Sequence, residues 1–197
     1  MELLSVSMRP VAAVRVAGPD DSEVLGRLLY DFNTEFGEPT PPPAGLAARL
    51  RELFDGGDAI ALVAENALVA GNAMVAGDAM VAGDAMVAGA AAPTVVGLAI
   101  LRLRPALWSA GAECNLAELY VSPAYRGKGT GRVLMEAALE EARARGADTM
   151  DIGVDEPDTA ARRLYESLGF SNRTAGGAHM YVYELDLQAG SRDLEAG

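Results

Sequence analysis

The chain of 197 residues contains one cysteine, Cys114, one histidine, His179, and one lysine, Lys128. A single cysteine excludes an internal disulfide and cannot build a thiolate metal cage. A cysteine–histidine catalytic pair would need the only two such residues to meet, and no metal site is expected. No apolar run reaches the roughly 18 residues of a membrane span, because Gly, Asp, Asn or Arg interrupts each candidate. Residues 1–10 carry Glu2 where a signal peptide has basic residues, and they lack an apolar core, so no signal peptide is read there. Cytoplasm is the expected compartment. Basic charge is scarce as well, with 16 Lys and Arg against 28 Asp and Glu and a net charge of −12. That balance argues against a nucleic-acid partner, which wants a basic footprint, and no membrane partner is expected. It suits a cationic small molecule, but net charge reports solubility and steering rather than function.

What is present is half apolar by composition, which excludes disorder throughout and leaves enough material for one real core. Val11–Val16 alternates as a first strand. Gly18, Pro19, Asp20, Asp21 and Ser22 supply turn and N-cap chemistry for a helix. In that helix Leu25, Leu28, Leu29, Phe32 and Phe36 share one buried stripe. Pro39 to Pro43 is a stiff connector to a second helix with Leu46, Leu50, Leu53 and Phe54 on one face. Further strands are expected at Ala59–Ala64, Val95–Arg104, Leu116–Val121, Met150–Val154 and Met180–Leu187. Helices are expected at Gly129–Arg145 and Thr159–Leu168. The fold class is α/β, with a mixed, mostly antiparallel central sheet flanked by helices.

Between the second and third strands lies a six-residue repeat, Ala67-Leu-Val-Ala-Gly-Asn72, followed by Ala73, Ala79 and Ala85 copies of Ala-Met-Val-Ala-Gly-Asp or Ala. A glycine in every copy argues against helix. An even period keeps side chains on constant faces, so a strand extension or an irregular hairpin tip fits. A left-handed parallel β-helix has a similar hexapeptide, but so few copies make fewer than two coils. An insertion is the preferred reading. The organisation expected is a single domain over 11–187, an insertion at 66–92 within it, and a frayed polar tail at 188–197.

The chemistry-bearing stretch runs from Leu119, Tyr120 and Val121 through Ser122 and Pro123 to Arg126, Gly127, Lys128, Gly129, Thr130 and Gly131. It reads as a strand, a turn and a helix opening on glycines. Helix N-termini expose unpaired N–H groups, and glycines let a phosphate approach that backbone closely. The sole lysine falls inside this turn. A Walker loop fails on spacing, and the dinucleotide fingerprint fails because Arg132 stands where its third glycine belongs. Arg126, Gly129 and Gly131 do fit Arg-x-x-Gly-x-Gly. Downstream, Asp158, Ala161, Leu164, Tyr165, Gly169 and Phe170 fit Asn-x-x-Ala-x-x-Leu-Tyr-x-x-x-Gly-Phe, except for Asp at the first position.

These paired motifs, in this order, resemble the GNAT (GCN5-related) N-acetyltransferase superfamily of the bacterial small-molecule type. The resemblance implies the GNAT acyl-CoA fold, acetyl-CoA as co-substrate without a metal, and direct acetyl transfer to a primary amine of a small molecule or peptide. It implies that Arg126–Gly131 cradles the pyrophosphate and that Leu119, Tyr120 and Val121 hold the pantetheine arm. Tyr165 is implied as the acid that protonates the departing thiolate, and a phenol with a pKa near 10 keeps its proton at neutral pH. Glu118 is the candidate base acting through water, with an ordinary half-exposed acid as the equal alternative; Glu113 is a weaker candidate. Asp158 can accept a hydrogen bond but not donate one, which places its cofactor contact in doubt. Cys114 and His179 match no family position and are read as packing or surface residues. Tyr30, Asp31, Asn33, Glu35, Glu38 and Trp108 are expected on the acceptor side. The alternative reading is a catalytically silent acyl-CoA sensor or interaction domain. A monomer or homodimer is expected.

Overall fold

A computed structural model describes residues 12–66, 93–185 and 187. The repeat and the tail lie outside the described residues, apart from Asn66 at the first edge of the expected insertion. The chain divides into two compact units, Met1–Ile152 and Gly153–Gly197.

The first unit is a five-stranded sheet in the order β1-β2-β3-β4-β5. Its strands are β1 (Ala13–Val16), β2 (Ile60–Asn66), β3 (Thr94–Pro105), β4 (Ala112–Val121) and β5 (Ala147–Asp151). Neighbours from β1 to β4 are antiparallel, and β4 and β5 are parallel. A parallel pair needs a crossover, and α3 (Thr130–Ala144) supplies it. Two further helices, α1 (Ser22–Glu35) and α2 (Pro43–Asp55), follow β1.

Each helix forms where local chemistry says it should. The turn before α1 is closed by Asp21, whose Oδ2 accepts the Gly18 N–H at 2.8 Å, and by Ser22, whose hydroxyl donates to the Pro19 carbonyl at 2.7 Å. Pro43 opens α2 at a position where no amide hydrogen is needed. Leu25, Leu28, Leu29 and Leu50 of these helices pack with Ala61, Val63, Leu98, Ile100 and Tyr120 of the sheet. The alternate residues of the strands meet α3, as the 3.1 Å approach of Leu134 to a Cβ built on Gly97 illustrates. Strand alternation thus feeds two cores, one per sheet face. Phe36, expected in the buried stripe, is 58% exposed because α1 has already ended before it.

Several boundaries differ from expectation. Strand β4 begins at Ala112 rather than Leu116, and β5 occupies Ala147–Asp151 rather than Met150–Val154. Both early segments are polar, and pairing across the sheet edge stabilises them: Arg104 bonds Glu113 at 2.8 Å and Asn115 bonds Asp151 at 2.6 Å. In residues 112–115 only Cys114 is buried, so too little apolar alternation marks the segment. In the second unit α4 (Thr159–Ser167) forms as expected, but Met180–Leu187 is no strand within its described residues, 180–185 and 187. Its alternation is strand-like, yet the ladder there amounts to one bridge, Arg173 with His179. A strand exists only with a partner. Among the described residues no helix is long and apolar enough to cross a membrane.

Two expected outcomes follow from this packing. A Cβ added to Gly26 would lie 2.6 Å from the Pro43 carbonyl and 2.8 Å from the Ala47 amide, both backbone atoms of the neighbouring helix. Gly26→Ala should therefore cost about 1–3 kcal/mol in urea unfolding; no loss would mean the helices do not cross so closely. Asn66 pairs directly with Thr94, so the chain ends flanking the repeat are already adjacent. Deleting 67–90 leaves a short hairpin loop and should preserve cooperative unfolding. Loss of the thermal transition would contradict this.

Candidate active site

The site begins with a mismatch in strand β4. Ile100 pairs with Glu118 while its neighbour Leu101 pairs with Leu116, so Ala117 is one residue too many and forms a bulge. On the other edge, β5 pairs with β4 only from Ala112 to Asn115. Beyond that point no described strand pairs with this edge over residues 116–121. Bulge and open edge together present peptide groups to a ligand arriving alongside the strand.

Glu118 follows the bulge directly. It is half-buried, and desolvation alone pushes its carboxyl above the ordinary range. A carboxylate held above its ordinary range is a better proton acceptor than an exposed one. Glu113, by contrast, is paired with Arg104.

From Val121 the chain turns sharply. The Ser122 amide bonds the Val96 carbonyl at 2.9 Å, and a single 3-10 turn covers Pro123–Tyr125. Gly127 and Gly129 then take φ values of 69° and 92°, a region that L side chains rarely adopt. Thr130 and Gly131 open α3, whose first amides have no partner within the helix. A Cβ built on Gly127 or Gly129 meets nothing within 4 Å. Conformational demand with open space beside it fits a backbone cradle for a diphosphate. Lys128 folds back, donating to the Ala124 carbonyl at 2.7 Å with its ammonium 5.4 Å from the Tyr125 ring centre.

Arg126 donates from Nε to the Val121 carbonyl at 2.8 Å and from both Nη atoms to Glu35 at 2.6 and 2.7 Å. The guanidinium holds the Glu35 carboxyl below its usual range. The Tyr120 side chain is 4% exposed and packs on Phe32 with ring centres 5.3 Å apart. Its phenol is pushed upward, first by burial and then by the Glu35 charge. Glu35 was legible as an acid on α1, but nothing local links it to a residue 91 positions away.

In the second unit Asp158 caps α4, its Oδ1 accepting the Ala161 amide at 3.0 Å. That supplies a reason for an acid here, since Asp is a strong N-cap. Tyr165 is 7% exposed and sits 6.0 Å from the Phe170 ring, centre to centre. Burial, then the Asp158 charge, pushes its phenol up to about 12, so it stays protonated through the neutral range.

Other expectations resolve plainly. Asn33 donates to Thr40 Oγ1 at 3.1 Å and fastens the connector after α1. Trp108 is 93% exposed in the loop between β3 and β4. That loop lies at the opposite end of the ten-residue β4 from the glycine turn, ~30 Å along the strand. Cys114 is fully buried packing, its thiol pushed to about 11 by burial. His179 is exposed and carries the isolated bridge. Among the described residues no cluster of His, Cys, Asp and Glu could hold a metal ion.

These elements make a mixed α/β sheet whose bulged strand enters a glycine turn and a helix N-terminus. The profile of the "Acetyltransferase (GNAT) family" matches residues 78–170. A crystal structure from Arthrobacter sp. FB24, described as an acetyltransferase, superposes with a TM-score of 0.69 at 35% identity, covering 89% of this chain and 96% of that one. The chain belongs to the acetyltransferase (GNAT) family. Among curated proteins, mycothiol acetyltransferase of Thermobispora bispora is 49% identical over 67 residues, 32% of this chain and 23% of that protein. The [Ribosomal protein bS18]-alanine N-acetyltransferase of Escherichia coli is 40% identical over 62 residues, 32% of this chain and 42% of the relative. The chain thus spans less than half the length of these curated relatives.

Glu118 offers a check that needs no substrate. Burial raises its folded pKa above the unfolded one, so its stabilising contribution is complete below the unfolded value and is lost as pH rises through the folded value. Glu118→Gln should melt with wild type at acidic pH and above it at neutral pH. A variant less stable than wild type at neutral pH would refute the desolvated carboxyl.

Proposed function

We propose that this chain transfers an acetyl group from acetyl-CoA directly to a primary amine of a small molecule or peptide. The observation that carries the reading is the bulged, open-edged β4 running straight into the Arg126–Gly131 turn and α3. Family membership supports it, and the relatives reported above are all named as acetyltransferases.

Acetyl-CoA supplies an activated acetyl group and a thiol leaving group; the chain supplies position and protons. The main-chain amides of Gly127–Gly131 hold the diphosphate, assisted by the helix dipole. The open backbone of Leu119, Tyr120 and Val121 pairs with the amide-bearing arm as an added strand would. Glu118 accepts a proton from the incoming ammonium, through water, so that the amine is neutral when it attacks. The Tyr165 hydroxyl gives its proton to the departing sulfur and is restored by the surplus proton that attack leaves on the nitrogen. Its raised pKa keeps the phenol protonated through the neutral range. Asp158 acts here by capping the helix that carries Tyr165. The catalytic domain is 11–187, with the repeat as an insertion and 188–197 as a tail.

Calorimetry with coenzyme A should show binding, and a thiol-release assay across polyamines, aminoglycosides, amino acids and peptides should identify a turnover substrate. No affinity for coenzyme A would sink the reading. Binding without thiol release from any amine would favour a silent sensor. Tyr165→Phe should keep coenzyme A affinity and reduce kcat by about 10²–10⁴-fold; an unchanged kcat would remove the acid role.

A further inference from the structure

Arg126 begins the glycine turn, yet its guanidinium joins three groups outside it. Nε donates to the Val121 carbonyl at the end of β4, and the two Nη atoms meet both oxygens of Glu35 at 2.6 and 2.7 Å. The guanidinium carbon lies 5.5 Å from the centre of the buried Tyr120 ring. Tyr120 in turn packs on Phe32, and Phe32 meets Phe36 edge-on at 5.3 Å between ring centres. One planar cation therefore ties the end of β4, the start of the turn and the last residue of α1. A fork of fixed N–H directions can satisfy a carboxylate and a carbonyl together, whereas an ammonium acts as a point charge.

The turn needs such a tether. Gly127 and Gly129 are both in the left-handed region, and glycine loses more freedom on ordering than any other residue. We infer that Glu35, through Arg126, is a positioning residue for the diphosphate-binding turn, so that the last turn of the acceptor-side helix α1 sets how well the cofactor cradle is formed. This rests on the acetyl-CoA reading above. It differs from a direct role in which the Arg126 charge simply meets phosphate, because in that case Glu35 competes with the ligand and its removal tightens binding.

The test is calorimetric titration of the full-length chain with coenzyme A, comparing wild type with Glu35→Gln, Arg126→Gln, Arg126→Lys and the double Glu35→Gln/Arg126→Gln variant. Glu35→Gln should weaken coenzyme A binding about fivefold, a coupling of the size typical between linked sites. The double variant should be no weaker than the worse single one, because both remove the same brace. Arg126→Lys should lose as much affinity as Arg126→Gln, since the charge survives but the fork does not. In steady state, Glu35→Gln should raise KM for acetyl-CoA and leave kcat within twofold. Unchanged or tighter binding in Glu35→Gln, additive losses in the double variant, or full affinity in Arg126→Lys would each overturn the inference. Should Glu35→Gln fail to show a wild-type melting transition, the Arg126→Lys comparison decides alone. A wild-type chain that binds no coenzyme A overturns both this inference and the reading beneath it, whereas wild-type binding unaltered by Glu35→Gln overturns the brace alone.

Discussion

The site depends on a strand that cannot be paired along both edges. β4 is held by β3 over its whole length, but the bulge at Ala117 breaks the register and β5 leaves it after Asn115. An unpaired strand edge is normally a liability, because exposed peptide groups invite aggregation or solvation. Here the open peptides lie beside Glu118 and lead without interruption into the glycine turn. Glu118, next to the bulge, is half-buried, and desolvation raises its carboxyl above the ordinary range.

The turn illustrates a division of labour between backbone and side chains. Its backbone is set by two glycines with positive φ, and its two cations are engaged locally or across to α1. Lys128, the one lysine among the basic residues, braces the turn on the Ala124 carbonyl and the Tyr125 face. In a chain of net charge −12, local positive potential at the cradle has to come from oriented N–H groups and a few fixed cations. The acidic excess elsewhere is a surface property and needs no part in the chemistry.

The helices, the first four strands and the position of the glycine turn were legible because each carries a local signal. Leucines at helical spacing, prolines at N1 and glycines after the last turn are properties of a few adjacent residues. The signal failed where stability came from partners. Glu113 and Asn115 look like loop residues and lie in a strand because neighbouring strands pair them on both sides. Met180 to Leu185 looks like a strand and is not one within the described residues, because alternation alone supplies no ladder. Trp108 stood out as a lone aromatic, but the direction of β4 carries it away from the glycine turn. Asp158, a departure from the motif, is a helix cap in three dimensions.

By itself the sequence determined the two motifs, their order, and hence the family, because those motifs are short, contiguous and governed by backbone conformation. It also determined that Tyr165 lies on the inward stripe of its helix. Tertiary structure alone decided that Ala117 is a bulge, that β5 pairs with β4 only as far as Asn115, and that Glu35 grips Arg126. These three are pairings between residues far apart in the chain. No window of sequence contains both members, and only the folded sheet with α1 across its face brings them together.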